Sequence, residues 1–251
     1  MNRYWSLFLL AACLMMSGFA AQSAELVVVA PNNLAKSLSD IALRFERSAP
    51  GVKVRFRFLS GAAILEEGAA GEPPDILVTP DLESMDEAAA RKMLMNDTRR
   101  VIIRDRLVVI APAKSALHLT SLADLLRGDL RRVAVGLPDS VPSGQFAKQA
   151  LEAAGLWQAL YGKFVFAPTT GQSLGLVMRE EVDVGFALLS EAIAAQALAR
   201  RVMDIDLKIP IFYPIAVCKR SPSEKLARSF VDFAGTAEAW QVFDDNGFMR
   251  P

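Results

Sequence analysis

The most constraining feature of this sequence is an alternation of short apolar runs, rich in β-branched residues, with segments whose apolar residues recur at helical spacing. The pattern begins with the apolar run 25–30, after which Leu34, Leu38 and Phe45 recur at helical spacing. It starts again after the run 106–111 and continues to the C-terminal helices. Strands that alternate with helices in this way predict mostly parallel sheets with helical connections. We therefore expect an α/β fold of two lobes joined by two crossings of the chain.

The first 23 residues are typical of a targeting segment. Arg3 precedes an uncharged apolar run from residue 5 to residue 21, and small residues continue up to Ser23. This order is typical of a secretory signal peptide, so we expect cleavage after Ser23 and a periplasmic mature protein. Two alternatives are an uncleaved membrane anchor and a lipoprotein attached through Cys13.

The charged and metal-binding residues exclude several classes of function. The 28 Lys and Arg residues equal the 28 Asp and Glu residues in number, so nucleic acid is not an expected partner. One histidine and two cysteines are too few for a His/Cys metal site, and no nucleophile–base motif is present in the sequence. We expect no metal, no cofactor and no enzymatic activity. His118 is expected to be structural or at the surface, and Cys218 to be a buried thiol.

Small polar residues occur at four predicted turns from strand to helix. The candidate ligand-binding residues in these turns are Asn33, Ser60, Gly61, Ser143 and Thr170. In parallel α/β folds such turns line the crevice beyond the carboxyl ends of the strands. A helix start offers unpaired N–H groups and the positive end of the helix dipole, so several starts together bind an anion without Lys or Arg. Each turn alone is explained by ordinary N-capping, but four equivalent turns predict a ligand cleft.

Several segments of the chain resemble the periplasmic molybdate-binding proteins of ABC importers, which have the type II two-lobe fold. They are residues 30–34, 75–81, 107–112, 213–214, 246–248 and, most specifically, 133–148. The resemblance covers essentially the whole mature chain. It implies a solute-binding protein that closes on a small oxyanion, with molybdate or tungstate as the expected ligand, and delivers it to an ABC permease of the inner membrane.

The same resemblance implies a division of the chain into lobes. Lobe 1 is expected to comprise residues 24–106 with 214–251, and lobe 2 residues 107–213, with hinge crossings near Leu107 and Tyr213. We expect the protein to be a monomer.

The resemblance also assigns ligand positions, and this chain departs from the family at several of them. The family holds its oxyanion with two serine hydroxyls, backbone N–H groups and a tyrosine hydroxyl. The serine positions fall on Asn33 and on Gly61, which Ser60 precedes. The backbone-donor positions fall on Ser143 and Thr170, and the tyrosine position falls on Leu188. This departure leaves a different small anion, such as an organic carboxylate, as the alternative ligand, and a sensing protein without a permease as the alternative role.

Two other classes of protein are less favoured by the sequence. The effector domain of a transcription regulator shares this fold, but it needs a DNA-binding helix-turn-helix where this chain has its apolar export segment. An exported enzyme on the same scaffold would need a nucleophile and a base, and the single histidine argues against that.

Overall fold

The computed structural model describes residues 24–59, 63–69, 73–208 and 210–251. The predicted signal peptide, residues 1–23, and the predicted ligand residues Ser60 and Gly61 lie outside the described residues. In the described ranges the strands are β1 (Ala24–Pro31), β2 (Val52–Leu59), β3 (Ile76–Val78), β4 (Arg100–Asp105), β5 (Leu107–Pro112), β6 (Val133–Gly136), β7 (Phe164–Ala167), β8 (Val184–Leu188), β9 (Ala199–Ile205) and β10 (Ile211–Val217).

Helices connect most of these strands. The α-helices are α1 (Ala35–Ser48), α2 (Ala63–Ala69), α3 (Leu82–Ala90), α4 (Pro142–Ala153), α5 (Trp157–Leu160), α6 (Thr170–Met178), α7 (Leu189–Ala194), α8 (Glu224–Phe233) and α9 (Ala237–Asp245). Short 3₁₀ helices cover Asn32–Leu34, Asn96–Thr98, Leu122–Leu126 and Tyr161–Lys163. No helix among the described residues is long and apolar enough to cross a membrane.

The strands form two five-stranded sheets, one in each lobe. Their orders are β2-β1-β3-β10-β4 and β7-β6-β8-β5-β9. In the first sheet only β10 runs against the other four strands, and in the second sheet only β5 does. The predicted two-lobe α/β fold with mostly parallel sheets is thus confirmed.

The chain passes between the sheets at two places. Asp105 ends β4 in the first sheet and Leu107 begins β5 in the second, so the first crossing lies at Arg106. On the return, β9 belongs to the second sheet, whereas β10 pairs with β4 of the first sheet from Ile211 onward. We propose that the second lobe boundary lies between Ile205, where β9 ends, and Ile211, where β10 begins, a few residues before the expected position at 213/214.

Helix α1 shows how the helical spacing becomes a core. Its residues Leu38, Ile41 and Phe45 are all buried on one face. Phe45 meets Phe230 of α8 edge to face, with ring centroids 5.2 Å apart. Burial of such a side chain contributes about 1.5–3 kcal/mol, and this fixes the helix against the sheet. The 3₁₀ turn before α1 is thereby held at the carboxyl end of β1.

A close backbone approach fixes the start of α4. A Cβ atom added to Gly144 would lie 1.9 Å from the carbonyl oxygen of Gly136, the last residue of β6. Only glycine permits this contact. Pro142 occupies the first turn of α4, where its missing N–H is not needed. The specific segment 133–148 therefore encodes a helix that begins directly on the end of its strand.

Candidate ligand-binding cleft

A cavity of about 280 Å³ lies between the two lobes, at the ends of their strands. Its first-lobe wall contains Asn33, Leu59 and Pro80, which follow or end β1, β2 and β3. Its second-lobe wall contains Val141 and Thr170, which lie at the starts of α4 and α6. The cavity thus occupies the crevice in which open α/β sheets bind ligands.

The cavity wall contains no Lys or Arg among the described residues, and its one charged residue is acidic, Glu191. Helix starts surround it instead: the 3₁₀ helix before α1, α4 and α6. The first N–H groups of a helix lack intrahelical partners and carry partial positive charge. An anion in this cavity would be held by N–H and O–H donors rather than by a countercharge.

Asn33 is part of the cavity wall, as the sequence predicted. Its side-chain Nδ2 donates a hydrogen bond to the Oη atom of Tyr213 at 2.6 Å. Tyr213 is buried in β10, and burial raises the pKa of its hydroxyl well above the usual value. A neutral, buried phenol therefore orients the Asn33 amide. Sequence reasoning did not assign Tyr213 to the site.

Thr170 also lines the cavity. Thr169 caps α6, because its hydroxyl accepts a hydrogen bond from the N–H of Gln172 at 3.2 Å. Thr170 is therefore not needed as a cap. Its own hydroxyl instead donates to Oε1 of Glu191 at 3.3 Å.

Ser143 lies one residue beyond the cavity wall, in the first turn of α4. It is 1% exposed, and its hydroxyl oxygen has no hydrogen-bond partner among the described residues. A buried hydroxyl without a partner costs about 1–3 kcal/mol, so the structure holds an unused donor beside the cleft.

Leu188, at the family's tyrosine position, is buried at the end of β8 and does not line the cavity. Its backbone N–H donates to Oε2 of Glu191 at 2.8 Å, so the glutamate caps the start of α7. The carboxyl group of Glu191 is thus the polar group that this turn presents to the cleft. Sequence reasoning missed Glu191, although a Glu three residues after a helix cap is a recognisable capping signal.

Burial dominates the electrostatics of Glu191. It is the main cause that raises the pKa of the carboxyl to about 7; the charge of Asp105 also raises the pKa, whereas the N–H of Leu188 and the hydroxyl of Thr170 lower it. Burial likewise raises the pKa of Asp105 to about 6. Asp105 ends β4 at the first crossing and accepts a 2.6 Å hydrogen bond from the hydroxyl of Ser190 in α7, which links the two lobes.

An outer groove of about 570 Å³ continues from the cavity, with which it shares Pro80, Ser140, Val141 and Pro142. Acidic residues predominate in its walls, namely Asp81, Glu83, Glu87, Asp139 and Glu152. Lys148 also lines the groove, and its Nζ lies 3.9 Å from Glu152. The described residues of the groove therefore carry more acidic than basic side chains, and its one lysine lies beside an acidic residue.

His118 and Cys218 line neither the cavity nor the outer groove. His118 is exposed at the surface, as expected. Cys218 is a buried free thiol, as expected, and burial raises the pKa of the thiol to about 12. No cluster of three or more potential metal ligands occurs in the part of the chain that the structure describes.

Two α/β lobes with a cleft between their strand ends, lined by helix starts, form the architecture found in solute-binding proteins. The family model of the bacterial extracellular solute-binding proteins matches residues 26–249, and the chain belongs to this family.

Individual relatives and solved structures are similar to this chain over most of its length. The chain is 30% identical to the molybdate-binding protein ModA of Escherichia coli over 235 residues, which are 91% of this chain and 90% of that protein. The solved substrate-binding domain of a provisionally assigned molybdenum ABC transporter from Clostridium difficile has a TM-score of 0.81 and 26% identity, covering 91% of this chain and 100% of that one. The periplasmic molybdate-binding protein of Azotobacter vinelandii has a TM-score of 0.74 at 21% identity, covering 90% and 99%, and shows a shared fold.

Proposed function

We propose that this protein binds a small oxyanion, molybdate or tungstate, between its two lobes and delivers it to an ABC permease. The observation that carries the proposal is a cavity of about 280 Å³ at which three helix starts meet and which has no cationic wall residue among the described residues. Such a site suits an anion whose oxygens each accept hydrogen bonds. The relative from Escherichia coli is named for molybdate binding, which supports the choice of ion.

Closure of the lobes would complete the donor set. The walls of the cavity come from both sheets. With hinge crossings at Arg106 and between Ile205 and Ile211, as we propose, rotation about the crossings narrows the cleft. Each hydrogen bond to a charged ligand contributes about 1.5–3 kcal/mol, and the ligand thereby favours the closed state. The unpartnered hydroxyl of Ser143 is a donor that closure would bring into use.

Export to the periplasm, docking to a permease and a monomeric state are parts of the same proposal. The sequence of residues 1–23 supports export. Cell fractionation followed by N-terminal sequencing tests it, because cleavage after Ser23 leaves Ala24 as the first residue of a soluble protein. Recovery in the membrane fraction with a lipid on Cys13 would support the lipoprotein alternative.

A small organic carboxylate is the second candidate ligand. Leu188 supplies no side-chain donor, and Glu191 places a carboxyl group in the wall. The wall also includes apolar surface from Leu59, Pro80 and Val141, which would suit a ligand with a carbon skeleton.

A ligand panel distinguishes these candidates. The mature protein is freed of bound ligand by partial unfolding and dialysis, and its thermal unfolding is recorded with molybdate, tungstate, sulfate, phosphate and small carboxylates. A ligand at a hundredfold excess over Kd stabilises the native state by about 2.7 kcal/mol. Stabilisation by molybdate or tungstate but not by sulfate supports the proposal. Stabilisation by a carboxylate alone would overturn the choice of ion and support the second candidate.

A variant of the cleft provides the control. Thr170→Val keeps the side-chain shape and removes one donor, so it should reduce the ligand-induced stabilisation without changing the midpoint of the ligand-free protein by more than a few degrees. An equal ligand response in both proteins would mean that the ligand binds elsewhere.

A further inference from the structure

Glu191 and Thr170 together offer an anion a negative charge and no free hydrogen-bond donor while Glu191 is ionised. Oε2 of Glu191 accepts from the N–H of Leu188 at 2.8 Å, and Oε1 accepts from the hydroxyl of Thr170 at 3.3 Å. While Glu191 is ionised, the only proton of the pair therefore points at the carboxylate. A ligand oxygen next to these two side chains would meet a negative charge and no donor.

Addition of one proton to the carboxyl group of Glu191 makes hydrogen-bond donors available to the anion. With Oε2 engaged by the Leu188 N–H, the proton resides on Oε1, which is the oxygen that faces Thr170. The protonated carboxyl can then donate to Thr170 or to the ligand, and the hydroxyl of Thr170 is free to donate to the ligand. The negative charge disappears, and the pair changes from an acceptor into a donor.

We propose that the oxyanion binds together with one proton taken from solvent and held by Glu191, so that this residue selects the anion in a proton-dependent way. The inference rests on the proposed function, since it concerns the same cleft. Its geometric basis is that Glu191 is the one charged residue in the described cavity wall and is buried between β8, α7 and α6. Burying a dianion against an ionised carboxylate without a cation is strongly unfavourable.

The charged surroundings of Glu191 support proton uptake. Two titratable groups act on it from neighbouring strands, Asp105 at the end of β4 and Tyr213 in β10, and neither carries positive charge. On α4, Lys148 lies at the outer groove beside Glu152. The pKa of Glu191, about 7 without ligand, leaves the group free to gain a proton near neutral pH.

The first test is calorimetry of molybdate binding to the wild-type protein at pH 8, in buffers with different ionisation enthalpies. The dependence of the apparent enthalpy on the buffer counts the protons taken up. We expect close to one proton per molybdate, and we expect Kd to increase about tenfold per pH unit above the pKa of Glu191. Binding with no proton uptake at pH 8 and a flat affinity between pH 6 and 8.5 would overturn the inference but leave the proposed function intact.

Two matched variants assign the proton. Glu191→Gln imitates the protonated carboxyl, because its amide both accepts from Leu188 and donates; it should bind molybdate with a Kd that no longer depends on pH. Asp105→Asn should retain the proton uptake and the tenfold change in Kd per pH unit, with the profile shifted to lower pH because the charge of Asp105 no longer raises the pKa of Glu191. If Asp105→Asn abolishes proton uptake and Glu191→Gln retains it, the proton is held by Asp105 and the inference is wrong. If no protein binds any oxyanion between pH 6 and 8.5, the proposed function fails and the inference fails with it.

Discussion

Nδ2 of Asn33 and Oη of Tyr213 are 2.6 Å apart, and this hydrogen bond joins the turn after β1 to the strand that returns from the second lobe. The partners are 180 residues apart in the chain. The contact orients the amide of Asn33 at the cavity wall, so we expect ligand binding to depend on a residue that lines no part of the described cavity.

The first prediction removes this contact. Tyr213→Phe keeps the ring packed against Phe248, whose centroid lies 5.9 Å away, and loses only the hydroxyl. We expect a loss of about 1 kcal/mol in the free energy of unfolding and about a tenfold weaker Kd for the stabilising anion, since the freed amide adopts other rotamers. Chemical denaturation and calorimetry measure both quantities. An unchanged Kd would show that the amide needs no support from β10.

The second prediction concerns Ser143. Removal of its hydroxyl should leave the ligand-free protein as stable or more stable, but should weaken binding of the anion. Ser143→Ala removes a buried hydroxyl that has no partner in the described structure. The ligand-free protein should be as stable as the wild type or up to about 1 kcal/mol more stable, whereas the anion should bind roughly 10- to 100-fold more weakly. Thermal unfolding at matched ligand concentrations measures both. A destabilised ligand-free variant would reveal a structural role for the hydroxyl.

The third prediction concerns the pH dependence of stability. Burial raises the folded-state pKa of Glu191 from 4.5 to about 7 and that of Asp105 from 3.8 to about 6. The folded state therefore binds more protons than the unfolded state between these values. Since stability falls with pH wherever the native state binds more protons, the free energy of unfolding should fall from about pH 4 to pH 7 and level off above it.

The variant Glu191→Gln separates the contribution of Glu191 to this pH dependence from that of Asp105. Each group contributes up to about 1.4 kcal/mol per pH unit within its window. Urea unfolding of the ligand-free protein at pH 5, 6, 7 and 8 should give a smaller slope for Glu191→Gln, above all between pH 6 and 7. Glu238→Gln, whose side chain is half exposed, should keep the wild-type slope. Equal slopes for all three proteins would contradict the prediction.

The fourth prediction tests the backbone contact that places α4. Gly144→Ala would bring a methyl group against the carbonyl oxygen of Gly136 and displace the start of the helix. We expect a loss of about 1–3 kcal/mol in the free energy of unfolding and a weaker response to the anion. Gly162→Ala is the matched control, because nothing lies within 4 Å of the added Cβ and the change should be nearly neutral. Comparable losses in both variants would argue against a specific role for Gly144.

Much of the architecture could be predicted from the sequence because it depends on local periodicity. The spacing of Leu38, Ile41 and Phe45 defines the buried face of α1, and that face is buried in the structure. The run 107–112 and the small polar residues at helix starts have the same local character. Such signals depend on neighbouring residues alone, so they yield the elements, the α/β class and the candidate residues Asn33 and Thr170 in the cavity wall.

The sequence by itself thus determined two α/β lobes and a cleft at the ends of their strands, and it predicted the lack of Lys and Arg that the described part of the cavity wall shows. Only the tertiary structure decided which side chains act together in that cleft. Tyr213 reaches Asn33 because β10 returns to the first sheet, and Asp105 meets Ser190 because the chain changes sheets at Arg106. The pKa of Glu191 departs from its usual value because distant residues exclude water from it. Burial and contacts between distant segments depend on how the whole chain packs, and no local pattern records them.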